Sequence, residues 1–488
     1  MKEFFKSVLL MVLTLSTMTM TYWIFSDADS TVEDKQISTE AIDLIDYIRP
    51  QNYIFSFGDL FIKLYDDTYE NIEVREGYEA SLTSFLSSPT EFGMNQITEQ
   101  IWQVETQKKS LQVNYPLSLE IDDFLRIYNF NMQTANTDGM HVTSVLFMLN
   151  HEDYIYLYDQ VAGNYYKLYY YDDSLVPDSW ITDMFERVDE TKSYNDGYRT
   201  MESRYNFLMA GLADYDLKTA NLLLTPISTQ INYPKYNIIQ EVDLGADNSS
   251  QLDSYAAAVF GDDLNFVKKS IYSDTSTIFM LGYGDKIFKA TNDGSLEVTM
   301  KPKDTLQKKS IGFLDGMELA LREVLNLGLP SDTLYLSGYY QSESRSAIES
   351  VYLFNYSKNG IPLYDPDRQT GALIEVRFSN KDMVKIKKRA PIITSEKLSN
   401  FQSVKSFSSI IQRNRISFEK AIEQETLGFE VEKEDLLQMA LHNMETLSLK
   451  YYVKGDTLIP VWYIKIGKTH YFIDLTSGLV LNQYQDEE

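Results

Sequence analysis

The sequence predicts an α+β fold: one N-terminal transmembrane helix, then a multi-domain extracytoplasmic region of antiparallel sheets with packed helices. Three observations carry this. Residues 7–25 run nineteen positions without a charge. Tyrosine-rich stretches with strand-like alternation are joined by Gly-containing turns. Two amphipathic helical stretches in the C-terminal third are each followed by a run of short strands.

The first element is "SVLLMVLTLSTMTMTYWIF", Ser7 to Phe25. As a helix it spans roughly 28 Å, about one hydrocarbon core. Tyr22 and Trp23 stand at its far end, where amphipathic rings favour the interface. Lys2 and Lys6 precede it; Asp27, Asp29, Glu33 and Asp34 follow. That asymmetry places residues 1–6 in the cytoplasm and the bulk of the chain outside, at the cell membrane. A cleaved signal peptide is the competing reading, with Ser26-Asp-Ala28 as its one candidate cleavage site. Ser7, Thr14, Thr17 and Thr21 fall within about an 80° arc of this helix. Small hydroxylated residues let membrane helices approach and bond across the contact. These four therefore form a candidate helix-contact face, although Ser and Thr are also simply tolerated in such helices.

Residues 26–38 read as a polar, acidic linker, and three divisions follow it. Residues 39–200 open with "STEAIDLIDYIRP", a helix closed by Pro50, and contain "YIYLYDQVAGNYYKLYYYDD", a tyrosine-rich hairpin. Residues 201–305 carry the helix "SSQLDSYAAAVFGDD" and four strands. Asn292-Asp-Gly294 turns the last two. Residues 306–488 hold two similar halves. The helix "GFLDGMELALREVLNLG" buries Phe313, Met317, Ala320, Leu321 and Val324 and leads into strands. The helix "KEDLLQMALHNMETLSL" buries Leu437, Ala440, Leu441, Met444 and Leu447 and leads into four more.

Both halves contain Asp-x-x-[Thr/Ser]-Gly between two strands: Asp367 to Gly371 and Asp474 to Gly478. Asp159 to Gly163 is a looser match. An Asp that bonds nearby backbone and a Gly free to take positive φ are what a short reversal needs. These residues are read as structural hairpin corners.

The chemistry of catalysis is not written in the chain. An acid-protease loop needs Asp followed directly by Thr or Ser and Gly, and two residues intervene here. His141, His151, His442 and His470 have no metal-ligand spacing, and cysteine is absent. Ser417-Phe-Glu-Lys420 matches S-x-x-K, yet its partner motifs are missing or out of order, and an amphipathic helix over 417–427 accounts for it. No catalytic, cofactor-binding or metal residue is assigned. A net charge of −27 argues against nucleic acid as a partner. The basic run Lys381, Lys385, Lys387, Lys388 and Arg389 reads as one solvated edge strand, or as a docking patch for an acidic partner.

Taken with the anchor and the missing catalytic motifs, the closing "IPVWYIKIGKTHYFIDLTSGLV" resembles the YycH family. The helix-then-strands pattern with Pro460, Trp462, Tyr471, Asp474 and Gly478 also looks like a PepSY-type unit. The resemblance implies PepSY-like or YycI-like units in the C-terminal part. It implies a non-enzymatic, membrane-anchored regulator of a WalK/YycG-type sensor histidine kinase. It also implies work with a YycI-like sister protein in control of cell-wall metabolism, and no cofactor. The alternative function is an extracytoplasmic binding or inhibitor module that captures a wall fragment or masks a wall enzyme.

Overall fold

A computed structural model describes residues 42–65, 72–86, 92–128, 130, 139–149, 151–170, 180–192, 197–200, 223–228, 233–240, 249–272, 276–291, 293–303, 308–327, 334–368, 370–389, 391–397, 404–425 and 436–486. Residues 43–488 belong to one unit. It is built on two sheets.

The first sheet takes β1 (Asn52–Phe57), β2 (Phe61–Tyr65), β3 (Phe92–Ile97), β4 (Lys109–Glu120), β5 (His141–Met148), β6 (His151–Asp159), β7 (Asn164–Tyr170), β8 (Tyr198–Thr200) and β9 (Leu224–Pro226). Their order is β3-β7-β6-β5-β4-β1-β2-β8-β9, antiparallel throughout. The pleat explains the packing. Leu111, Val113, Tyr115, Leu117 and Leu119 alternate along β4 and are buried. Helices α1 (Ile72–Leu86) and α4 (Trp180–Thr191) cover one face. There Tyr78 meets Tyr53 edge-on at 6.0 Å, and Phe185 meets Phe55 at 5.2 Å. Helix α2 (Glu99–Thr106), capped by Thr98, sets Trp102 on the stacked Tyr158–Tyr165 pair of the other face. The short α3 (Ile121–Ile127) follows β4 directly.

The second sheet takes β10 (Tyr236–Gln240), β11 (Val267–Ile271), β12 (Thr277–Leu281), β13 (Lys286–Ala290), β14 (Ser295–Met300), β15 (Leu334–Glu343), β16 (Ile348–Lys358), β17 (Ile361–Tyr364), β18 (Ile374–Ser379), β19 (Asp382–Arg389), β20 (Pro391–Lys397), β21 (Met444–Lys454), β22 (Thr457–Ile466), β23 (Thr469–Asp474) and β24 (Val480–Gln485). Its path is β11-β12-β13-β14-β19-β18-β16-β17-β21-β22-β10-β20, with β15 beside β16 and β23-β24 continuing from β22. The two C-terminal halves meet where β17 pairs parallel to β21. Helix α5 (Ser249–Phe260) precedes β11, and α6 (Phe313–Asn326) belongs to the first half. Helices α7 (Phe407–Glu425) and α8 (Leu436–His442) precede the strands of the second.

The divisions at 200 and 305 fall inside these sheets. β9 returns to the first sheet by pairing with β8, and β14 pairs with β19.

Three sequence expectations are corrected. "STEAIDLIDYIRP" keeps only a 3₁₀ turn, Leu44–Asp46, among its described residues. Asp43 caps this turn by accepting from the Ile45 N–H, and Pro50, which cannot continue a helix, ends the stretch. The second C-terminal helix stops at His442, and Met444 begins β21. Apolar residues three apart fit a helix face, but ten positions of β21 pair with β22, and tertiary pairing overrides the pattern. The basic run is no edge strand: β19 lies between β14 and β18. Its pleat sends Lys388 inward beside Ile386, at 1% exposure. The Lys388 ammonium donates to the Leu327 carbonyl at 3.3 Å and sits 5.1 Å from the Tyr255 ring centre. Lys385 stays on the open face and pairs with Glu297 at 3.1 Å.

Candidate functional site

The proposed contact face of Ser7, Thr14, Thr17 and Thr21 lies outside the described residues. Among the described residues, no helix is long and apolar enough to cross a membrane.

The hairpin corners lie among the described residues, apart from Gln369. After β23 the chain reverses through Asp474, whose Oδ1 accepts from the N–H groups of Thr476 at 2.9 Å and Ser477 at 2.6 Å. Gly478 takes φ +68° and donates to the Asp474 carbonyl. The second carboxylate oxygen lies 3.6 Å from Lys235 Nζ. Asp474 is 6% exposed, and backbone donors hold it as the pivot of the turn.

Asp159 repeats this geometry in the other sheet. Its Oδ1 accepts from Val161 at 2.9 Å and Ala162 at 3.0 Å, and Gly163 takes φ +66°. Its Oδ2 accepts from the His141 N–H at 3.0 Å. The looser sequence match is therefore the closer geometric one.

The loop between β17 and β18 is different. Gly371 takes φ +67°, but the pivoting acid is Asp365 rather than Asp367. Asp365 is fully buried and accepts from the Asp367 N–H and from both contacts of Arg389 Nη1, at 3.1 and 2.9 Å. Asp367 points out, with its side chain 77% exposed. Arg368 completes the knot by donating to Ser295 on β14. Asp365-Pro366-Asp367 carried the signal, because Asp followed by Pro initiates turns; the repeat at Asp367 masked it.

A hydrogen-bond chain not foreseen in the sequence runs along β22–β24. His470 is 6% exposed, its Nδ1 meets the Tyr463 hydroxyl at 2.7 Å, and its Nε2 meets Asp486 at 2.7 Å. Tyr484 stacks on the imidazole at 4.3 Å. Burial pushes the His470 pKa below its ordinary value, and the Asp486 carboxylate opposes that shift. The imidazole thereby ties the last strand to its neighbours. Ser417 lies on α7, and its carbonyl accepts from the Tyr471 hydroxyl at 2.9 Å. Among the described residues no group of three His, Asp or Glu side chains is placed to hold a metal ion.

No family model matches the sequence, and no curated protein matches it significantly. Among solved structures, YycH from Bacillus subtilis aligns over 91% of this chain and 99% of its own, with a TM-score of 0.50 and 11% identity. The chain has the fold of YycH. Two further structures align at lower scores. An uncharacterised protein from Eubacterium rectale covers 58% of this chain and 94% of its own (TM-score 0.33, 13% identity). The YpeB C-terminal domain of Bacillus megaterium covers 49% and 98% (TM-score 0.26, 9% identity). The YycH-like fold takes in both sheets, since the alignment spans nearly the whole chain.

Proposed function

We propose that the chain is a non-enzymatic, membrane-anchored regulator of a WalK/YycG-type sensor histidine kinase, acting with a YycI-like sister protein to control cell-wall metabolism. The YycH fold over 91% of the chain carries this reading. The charge-free stretch from Ser7 to Phe25 supports it from the other end of the molecule. In this reading residues 7–25 anchor the chain with its N-terminus in the cytoplasm. The face of Ser7, Thr14, Thr17 and Thr21 packs on the kinase or sister helix, and the two C-terminal halves are the YycI-like, PepSY-like units.

Crosslinking in native membranes tests it. The full chain is expected to capture a histidine kinase, and replacing the four hydroxylated residues by Leu is expected to weaken that capture while leaving insertion intact. A kinase absent from the crosslinked material would overturn the proposal. Complementation separates the roles of anchor and exterior. If a chain beginning at about residue 30 restores regulation in a deletion strain, the exterior acts alone, as a binding or inhibitor module.

A further inference from the structure

Among the described residues, one edge of the second sheet is open to another strand. β11 ends the strand order, and β12 is its one strand partner among the described residues. The Tyr272 N–H donates to the Ser276 carbonyl at 2.9 Å. Alternation along an antiparallel ladder then makes Ser270–Ile278 and Lys268–Met280 the bonded pairs. It turns the N–H and C=O groups of Lys269 and Ile271 outward. The Val267 N–H, next in the outward series, is taken by the Leu264 carbonyl, in agreement with that parity.

The side chains around this edge are unusual for a solvated strand. Phe266 is 78% exposed, Ile271 72% and Tyr272 53%. Ile271 shares its face with Lys269, which pairs with Asp253 of α5 at 2.7 Å. Lys268 stands on the opposite face. The register carries that face through Ile278 and Met280 to Lys289, then Glu297, and on to Lys387, with Lys385 beside it pairing to Glu297. A chain of net charge −27 thus presents lysines along one open sheet face.

Charge selects the occupant. Two copies of β11 paired antiparallel about Lys269 would set lysine against lysine, and paired about Ser270 would leave Lys268 across from Tyr272 with no carboxylate to meet it. An acidic strand meets the same lysines as partners, and main-chain bonds supply affinity in such strand addition. We propose that β11 is a docking edge that takes up an extended acidic segment of a partner protein as an added strand. Lys269 and Ile271 give the backbone bonds, Lys268 pairs with a carboxylate, and Ile271 receives an apolar side chain. The inference stands independently of the kinase reading.

The test uses the purified full chain in detergent and two capped hexapeptides, one alternating Val and Glu, the other Val and Lys. Amide hydrogen exchange is followed residue by residue. The Val-Glu peptide is expected to slow exchange at Lys269 and Ile271 at least tenfold, and the Val-Lys peptide is not. Ile271→Pro removes an outward N–H without touching the β11–β12 ladder, so it is expected to abolish the effect while circular dichroism and melting stay unchanged. Lys268→Glu, an exposed change, is expected to weaken binding of the Val-Glu peptide. Three outcomes would overturn the proposal: protection of both amides in the free chain, equal effects of the two peptides, or no loss of the acidic peptide in Lys268→Glu.

Discussion

Asp159 and Asp474 hold the same turn in two different sheets. Each Oδ1 accepts from the N–H groups two and three residues on, and each turn closes on a glycine of positive φ. Two independent copies of one device mark it as architecture. Asp474→Ala and Asp159→Ala are each expected to lower stability by about 1–2 kcal/mol through lost turn bonding. Urea midpoints check this, and a midpoint unchanged for both would sink the reading.

Asp365 and Asp367 separate more sharply. Asp365→Ala strips Arg389 of a buried partner and is expected to cost about 3 kcal/mol or more. Asp367→Ala removes an exposed carboxylate and is expected to cost under about 1 kcal/mol. Equal losses in denaturant titrations would show that the pivot has been misassigned.

Two positive-φ glycines form a matched pair. A Cβ on Gly371 would overlap the Tyr364 ring, whereas a Cβ on Gly163 meets open space. Gly163→Ala is expected to cost only backbone strain, roughly 1–2 kcal/mol. Gly371→Ala adds a steric clash in the core and is expected to cost more. Melting temperatures of the two variants give the order directly.

Stability is expected to depend on pH through His470. Its folded pKa lies below the unfolded value, so between the two the unfolded chain binds the extra proton. Stability is therefore fully present above about pH 6.5 and falls as pH drops from there toward the folded pKa. Urea titrations at pH 7.5 and 5.5 should show the loss, and His470→Gln should shrink it. An identical pH slope in the variant would remove His470 as the cause.

Lys388 is expected to behave as a core residue. Lys388→Ala deletes a buried aliphatic stem and should cost roughly 2 kcal/mol or more, against under about 1 kcal/mol for Lys385→Ala. Chemical denaturation of both variants makes the comparison.

Much of the strand pattern was readable because pleat periodicity is local. The β6–β7 hairpin and strands β22 to β24 show their alternation and their turn glycines within a few residues. Helix α6 was readable for the same reason, with Met317, Ala320, Leu321 and Val324 all buried on one face. What the sequence hid depends on distant partners. Met444 looks helical until β22 is beside it, and Lys388 looks solvated until α5 and α6 cover its face. Asp365 looks incidental until Arg389 reaches it from a strand that follows. The His470 chain is likewise invisible until β24 brings Asp486 alongside.

The placement of β10 between β20 and β22 has a consequence for biosynthesis. Tyr451 bonds to the Pro234 carbonyl just ahead of β10, across 217 residues. At about 5–20 residues per second, roughly ten to forty seconds of translation separate those partners. The first sheet closes from residues already made, while β10 waits unpaired for the ribosome to finish its neighbour. The nascent chain therefore carries an open, sticky edge for much of its synthesis, a natural point of engagement for chaperones.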